Sequence, residues 1–196
     1  MRFASIKICS LFGIPIRLHY SFWLIVVPFL VILANSSYPR FYADFCPRVL
    51  HYELGRELTE AERWTMSVLT TLLVFGSLLA HEFGHAMAAK RLGIPVHSVE
   101  LFVFGGVARM MGFTRRPRDE FLLAGSGPLV SLSLALLLGG TFLLLRFILA
   151  AQSPIVDVAG YASLFNLATL AFNPVSYTHL RAHETPEHLV CRLLLE

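Results

Sequence analysis

The chain has 196 residues, 56% of them hydrophobic and 15% charged, with a mean hydropathy of +0.65, whereas an ordinary soluble domain is about a quarter charged. That balance excludes a soluble globular class and describes an integral membrane protein. The formal net charge of +3 is too small to argue for nucleic acid as a partner, and the basic residues gather beside the apolar runs instead.

In chain order, the first apolar run is Tyr20 to Ala34, which carries no charge and extends through Leu18 and His19 to about the length a bilayer core requires. A first membrane span competes here with a cleaved signal peptide, since Arg2 and Lys7 precede the run and Ala34-Asn35-Ser36 loosely resembles a cleavage site. Pro15 and Arg17 directly before the run, and a positive flank far from the amino terminus, favour the span. Residues 36 to 63 then mix charges with Pro39 and Pro47 and read as an exposed connection.

Trp64 to Leu92 is the second span. Thr59 followed three residues later by Glu62 suits its helix start, and Lys90-Arg91 closes it. Its second half carries His81-Glu82-Phe83-Gly84-His85. On a helix, residues four apart share a face, so both imidazoles can address one metal ion while Glu82 stands beside them to accept a proton from water. The motif is short enough to arise by chance. Burying two His and a Glu in an apolar helix without a partner costs on the order of 2–3 kcal/mol for each ionisable group, which favours a functional reason.

Gly93-Ile94-Pro95 breaks the helix. Val96 to Met111 alternates loosely around Gly105-Gly106 and predicts short strands or a hairpin. Asp119 to Gln152 is a third span, where Gly125-Ser126-Gly127-Pro128 either kinks the helix, lets another backbone approach closely, or serves packing alone. A fourth run, Ile155 to Phe172, bears Asn166 and is followed by Asn173, both needing partners in a low-dielectric setting. For Asn166 an interhelical hydrogen bond is the commoner role. Arg109, Arg115, Arg116 and Arg118 follow Lys90-Arg91, so the positive-inside rule places the amino terminus and this region in the cytoplasm. The expected fold is therefore an all-α polytopic membrane protein of about four transmembrane helices, with a short β-hairpin or strand insertion after the second.

The arrangement resembles the site-2 protease family of intramembrane zinc metalloproteases, in particular its bacterial and archaeal branch, whose members often carry CBS domains after the membrane core. Four segments carry the resemblance in order: Gly13-Ile14-Pro15-Ile16-Arg17, His81 to His85, Leu101 to Arg109, and Pro117 to Val130. It implies zinc-dependent cleavage of the transmembrane segments of membrane proteins within a prokaryotic cell (inner) membrane. His81 and His85 would bind Zn2+ and Glu82 would be the general base. Gly105-Gly106 would lie beside the site and pair with an unwound substrate, with Asn166 and Asn173 also assisting substrate binding.

A catalytic zinc takes three protein ligands. The resemblance implies an Asp in an Asn-x-x-Pro-x-x-x-x-Asp-Gly pattern, of which Asn173 matches the first position while Ser176 and Arg181 replace the Pro and the Asp. Asp44, Asp119 and Asp157 are the chain's aspartates, and Asp119 is the nearest substitute in depth. His179, His183 and His188 offer imidazoles, but from Val175 the composition turns polar and resembles translated adaptor sequence. Residues 1–174 are accordingly read as a metalloprotease core lacking its carboxyl end, and 175–196 as a non-native tail. Cys9, Cys46 and Cys191 form no C-x-x-C pair and imply no disulfide framework. The alternative functional class is an inactive membrane scaffold that binds transmembrane segments, with a zinc transporter as a weaker third; retention of Glu82 favours the protease, because a pure binder needs no general base.

Overall fold

The structure is a computed structural model that describes residues 5–35, 58–112, 116–148 and 155–181, with side chains in the last segment to 172. It begins with a hairpin, β1 (Ser5–Leu11) and β2 (Ile14–His19), then a 3-10 turn (Tyr20–Phe22) leading into α1 (Trp23–Asn35). There follow α2 (Glu60–Arg91), a second hairpin of β3 (Val96–Phe102) and β4 (Gly105–Met110), α3 (Pro117–Leu143) with a π-helical turn at Leu144–Ile148, and α4 (Ile155–Arg181). Most of the connection read between 36 and 63 lies outside the described residues, as does the tail beyond 181.

Three helices are long and apolar enough to cross a membrane: Glu60–Arg91, Pro117–Phe147 and Ile155–Phe172. Tyr20–Asn35 is a shorter apolar helix. The extension of the first run through Leu18 and His19 does not occur, because both residues belong to β2. Local hydropathy does not separate a strand that runs straight into an apolar helix from the helix itself.

The four strands form one sheet in the order β1-β2-β3-β4. Two antiparallel hairpins meet along a parallel β2–β3 pairing in which Ile16, Arg17 and Leu18 oppose Val99, Glu100 and Leu101. Parallel neighbours need a long crossover, and here the segment containing α1 and α2 supplies it. The β3–β4 hairpin answers the expectation from Val96 to Met111, whereas β1–β2 was not anticipated. Phe12 and Gly13 close that first hairpin with φ of 49° and 77°, the left-handed pair that matches the twist of a two-residue turn. Phe12 is an unusual residue for such a backbone, which hid the turn. Lys90 Nζ donates to its carbonyl at 2.7 Å and ties the hairpin to the end of α2.

One face of the sheet lies on the second half of α2. Ile14, Val99 and Ala86 are buried together, with Leu79, Phe83, Met87, Val96 and Ala108 packed around them. On the other face buried Glu100 receives Arg109 at 2.9 Å and Arg17 at 3.8 Å, so one carboxylate joins three neighbouring strands. Helix α2 starts with a capping box, in which Thr59 Oγ1 accepts from the Glu62 N–H and Glu62 accepts from the Thr59 N–H. It stops at Gly93 (φ 76°), where the N–H of Ile94 donates to Ala89 and that of Gly93 to Lys90, the paired bonds of a glycine-terminated helix end.

Candidate metal centre

His81 and His85 stand one turn apart on α2, with ring centroids 5.0 Å apart. The adjoining helix α3 runs antiparallel and meets them with Leu123, Gly127 and Ser131, residues at i, i+4 and i+8 that share one face. His85 Nδ1 donates to the Leu123 carbonyl at 2.8 Å, beside Ser126 Oγ at 3.3 Å. His81 Nδ1 lies 2.8 Å from Ser131 Oγ. Each imidazole is thus engaged through Nδ1, which turns its Nε2 toward Gly127. A Cβ on Gly127 would fall 2.7 Å from His81 Nε2 and would overlap His85 Nε2.

Close approach of the two helices makes this meeting possible. A Cβ on Gly84 would come within 2.9 Å of the Ser126 carbonyl and 3.3 Å of Gly127 Cα, so the two backbones are in contact there. Of the uses open to Gly125-Ser126-Gly127-Pro128, the structure shows close backbone approach at Gly127. Two imidazole nitrogens converging on a notch with no side chain fit a divalent transition metal such as zinc.

Glu82 points to the sheet. Its carboxylate faces the backbone of Ala108 in β4. Gly106 lies beneath it, since a Cβ there would overlap Glu82 Cγ and sit 3.1 Å from Cδ. Gly105 has φ of 130° and opens the strand next to the Val103-Phe104 turn. Strand β4 is at the edge of the sheet, so the Gly105-Gly106 segment runs from a turn directly past the acid.

Among the described residues no third His, Cys, Asp or Glu joins the histidine pair to make a metal-holding group. Asp119 stays in the first turn of α3. Asp157, at the start of α4, is paired with Arg146. Asp44, His183 and His188 lie outside the described residues, as do the side chains of Asn173 and His179.

Asn166 is buried at 1% exposure. Its Nδ2 donates to Ser77 Oγ at 2.9 Å and to the Ala162 carbonyl at 2.8 Å, while Oδ1 has no hydrogen-bond partner among the described residues. Ser77 is one turn before His81, so Asn166 ties α4 to the helix that carries the histidine pair. Sequence reading overlooked Ser131, the Leu123 carbonyl and the Ala108 backbone. The i, i+4, i+8 spacing on α3 was visible, but its pairing with the histidines depends on how the helices are set against each other.

Comparison with known proteins adds the following. The family model described as Peptidase family M50 matches residues 69–188. A Synechocystis sp. protein whose name assigns it as a zinc metalloprotease is 34% identical over 173 residues, covering 86% of this chain and 40% of that protein. The zinc metalloprotease of Methanocaldococcus jannaschii is 28% identical over 169 residues, covering 85% of this chain and 38% of that protein. A solved structure of a site-2 protease from the same archaeon is similar with a TM-score of 0.48 and 21% identity, covering 85% of this chain and 64% of the solved one. The chain therefore spans about 40% of the length of these two relatives.

Proposed function

The chain belongs to peptidase family M50, and from that membership and the α2–α3 geometry we propose that residues 1–174 form the metal-binding part of a zinc-dependent intramembrane endopeptidase. Its substrates are transmembrane segments of membrane proteins. One observation carries the reading: His81 and His85 aim Nε2 at a common point over Gly127 on a helix long and apolar enough to span a bilayer. A membrane-depth pair of oriented imidazoles has a cost that packing alone does not offset.

When bound there, zinc supplies Lewis-acid polarisation of a peptide carbonyl and activation of water near neutral pH. His81 and His85 hold it through Nε2. Glu82 takes the proton from the attacking water at a carboxylate oxygen and passes it to the departing amine nitrogen. The backbone of Ala108 lies beside that carboxylate. An unwound substrate adds as a strand along the edge of β4 at Gly105-Gly106, which brings its backbone past Glu82. Asn166 sets α4 on α2, and Asn173, about two turns further along the helix, assists substrate binding. The amino terminus and the arginines flanking the sheet face the cytoplasm of a prokaryotic cell.

The deciding experiment measures zinc per chain after detergent purification, for this chain and for His81→Ala. Near-stoichiometric zinc that is lost in the variant supports the reading and requires a third ligand from Asp119, the tail histidines or another group. Negligible zinc in both overturns it for this chain. Cleavage of a transmembrane reporter that stops in Glu82→Gln while zinc is kept assigns the base; capture of the reporter without cleavage points to a scaffold.

A further inference from the structure

Among the described residues, several helical hydroxyls stay on their own helix and others cross to a neighbour. Thr65, Ser126, Ser133, Thr141 and Thr169 each donate to a carbonyl three or four residues back on their own helix, the ordinary resting place of a helical hydroxyl. Ser67 and Ser163 cross to backbone carbonyls of α1 and α3, whereas Ser131, wholly buried, crosses to α2 and meets an imidazole, His81 Nδ1, at 2.8 Å. It sits one turn beyond Gly127, at the far side of the notch from Leu123.

We propose that Ser131 is the positioning residue of His81, holding the ring so that its Nε2 meets that of His85 over Gly127; the proposal rests on the metal reading above. An imidazole that binds metal through Nε2 carries its proton on Nδ1, and that N–H needs an acceptor. The Leu123 carbonyl is the acceptor for His85. Ser131 Oγ is the acceptor for His81. The torsion that turns an imidazole about its Cβ–Cγ bond is broad and two-fold, so it fixes little by itself. Without Ser131 the Nδ1 of His81 loses this acceptor, and a ring flip that carries Nε2 away from the notch is opposed less. Removing an outer partner of a metal-binding histidine typically weakens metal binding by about 10- to 100-fold.

The test compares the full chain with Ser131→Ala, Ser131→Thr and Ser133→Ala in lipid nanodiscs. Zinc affinity is read by competition with a chelator, and 15N resonances of the His81 and His85 rings are read without metal. Ser131→Ala should weaken zinc about 10- to 100-fold and displace the His81 ring signals while leaving those of His85 in place. Ser131→Thr, which keeps the oxygen, should restore both, and Ser133→Ala should match the parent chain. Zinc affinity in Ser131→Ala equal to that of the parent, or loss in Ser131→Thr as deep as in Ser131→Ala, would overturn the proposal. A parent chain that binds no zinc overturns the metal reading instead. The metal-free His81 signals then decide for Ser131: unchanged in Ser131→Ala they overturn its role, displaced there and restored by Thr they uphold it.

Discussion

Gly106 Cα lies against the Glu82 side chain so closely that the smallest added side chain would overlap Glu82 Cγ. The glycine in β4 and the acid in α2 are therefore a fitted pair, and the sheet reaches the motif through this contact. Alanine at 106 should push the carboxylate off the Ala108 backbone without touching either imidazole. On the proposed protease reading, because a displacement of about 1 Å of a catalytic group can cost about 100-fold in rate, Gly106→Ala should lower cleavage of a transmembrane reporter by about that factor with zinc content unchanged. A rate within twofold of the parent would show that Glu82 does not depend on β4.

Gly127→Ala should remove zinc. Its Cβ would stand 2.7 Å from His81 Nε2 and closer still to His85 Nε2, in the place assigned above to the proposed metal. Metal analysis of the purified variant should find zinc per chain reduced at least about tenfold, the depth expected when ligand geometry is spoiled. Full zinc content with normal affinity would mean that the metal is held elsewhere.

Gly84 tests the helix contact apart from the chemistry. Alanine there meets the Ser126 carbonyl and Val130 Cγ2 at 2.9 Å. Backbone cannot yield as a flexible side chain does, so overpacking of about 1–3 kcal/mol is expected. Unfolding of Gly84→Ala in a detergent titration should occur correspondingly earlier than for the parent chain.

Arg146 in the π-helical turn and Asp157 at the start of α4 form a buried ion pair. Removing one partner leaves a buried charge, at a cost of about 3–5 kcal/mol, whereas replacing both by apolar residues of similar volume is often neutral or better. Asp157→Leu should destabilise the α3–α4 hairpin strongly, and Arg146→Met with Asp157→Leu should recover most of the loss. Detergent unfolding of the two variants side by side reads the difference, and equal losses would mean that the pair itself stabilises the hairpin.

The short-range features were legible because their physics is short-range. The capping box at Thr59 and Glu62, the glycine stop at Gly93, the presence of a hairpin between Val96 and Met111 and the apolar lengths of the three long helices each depend on residues within a few positions of one another, although the hairpin turns at Val103-Phe104 and leaves Gly105-Gly106 in β4. The first hairpin was missed because Phe12 holds a backbone that favours glycine, leaving only Gly13 to mark the turn. Asn166 was recognised as a buried amide needing a partner, but not that Ser77 is that partner.

By itself the sequence determined the membrane class, the helix that bears the metal motif and the two imidazoles with their neighbouring acid, since composition and a 3.6-residue period are properties of the chain alone. Only the tertiary structure decided what holds each ring, because Leu123 and Ser131 lie 38 and 50 residues from the histidines they meet. It also decided why Gly106 and Gly127 have no side chain: each faces an atom brought there by another element, and such exclusion of volume exists only once the elements are packed.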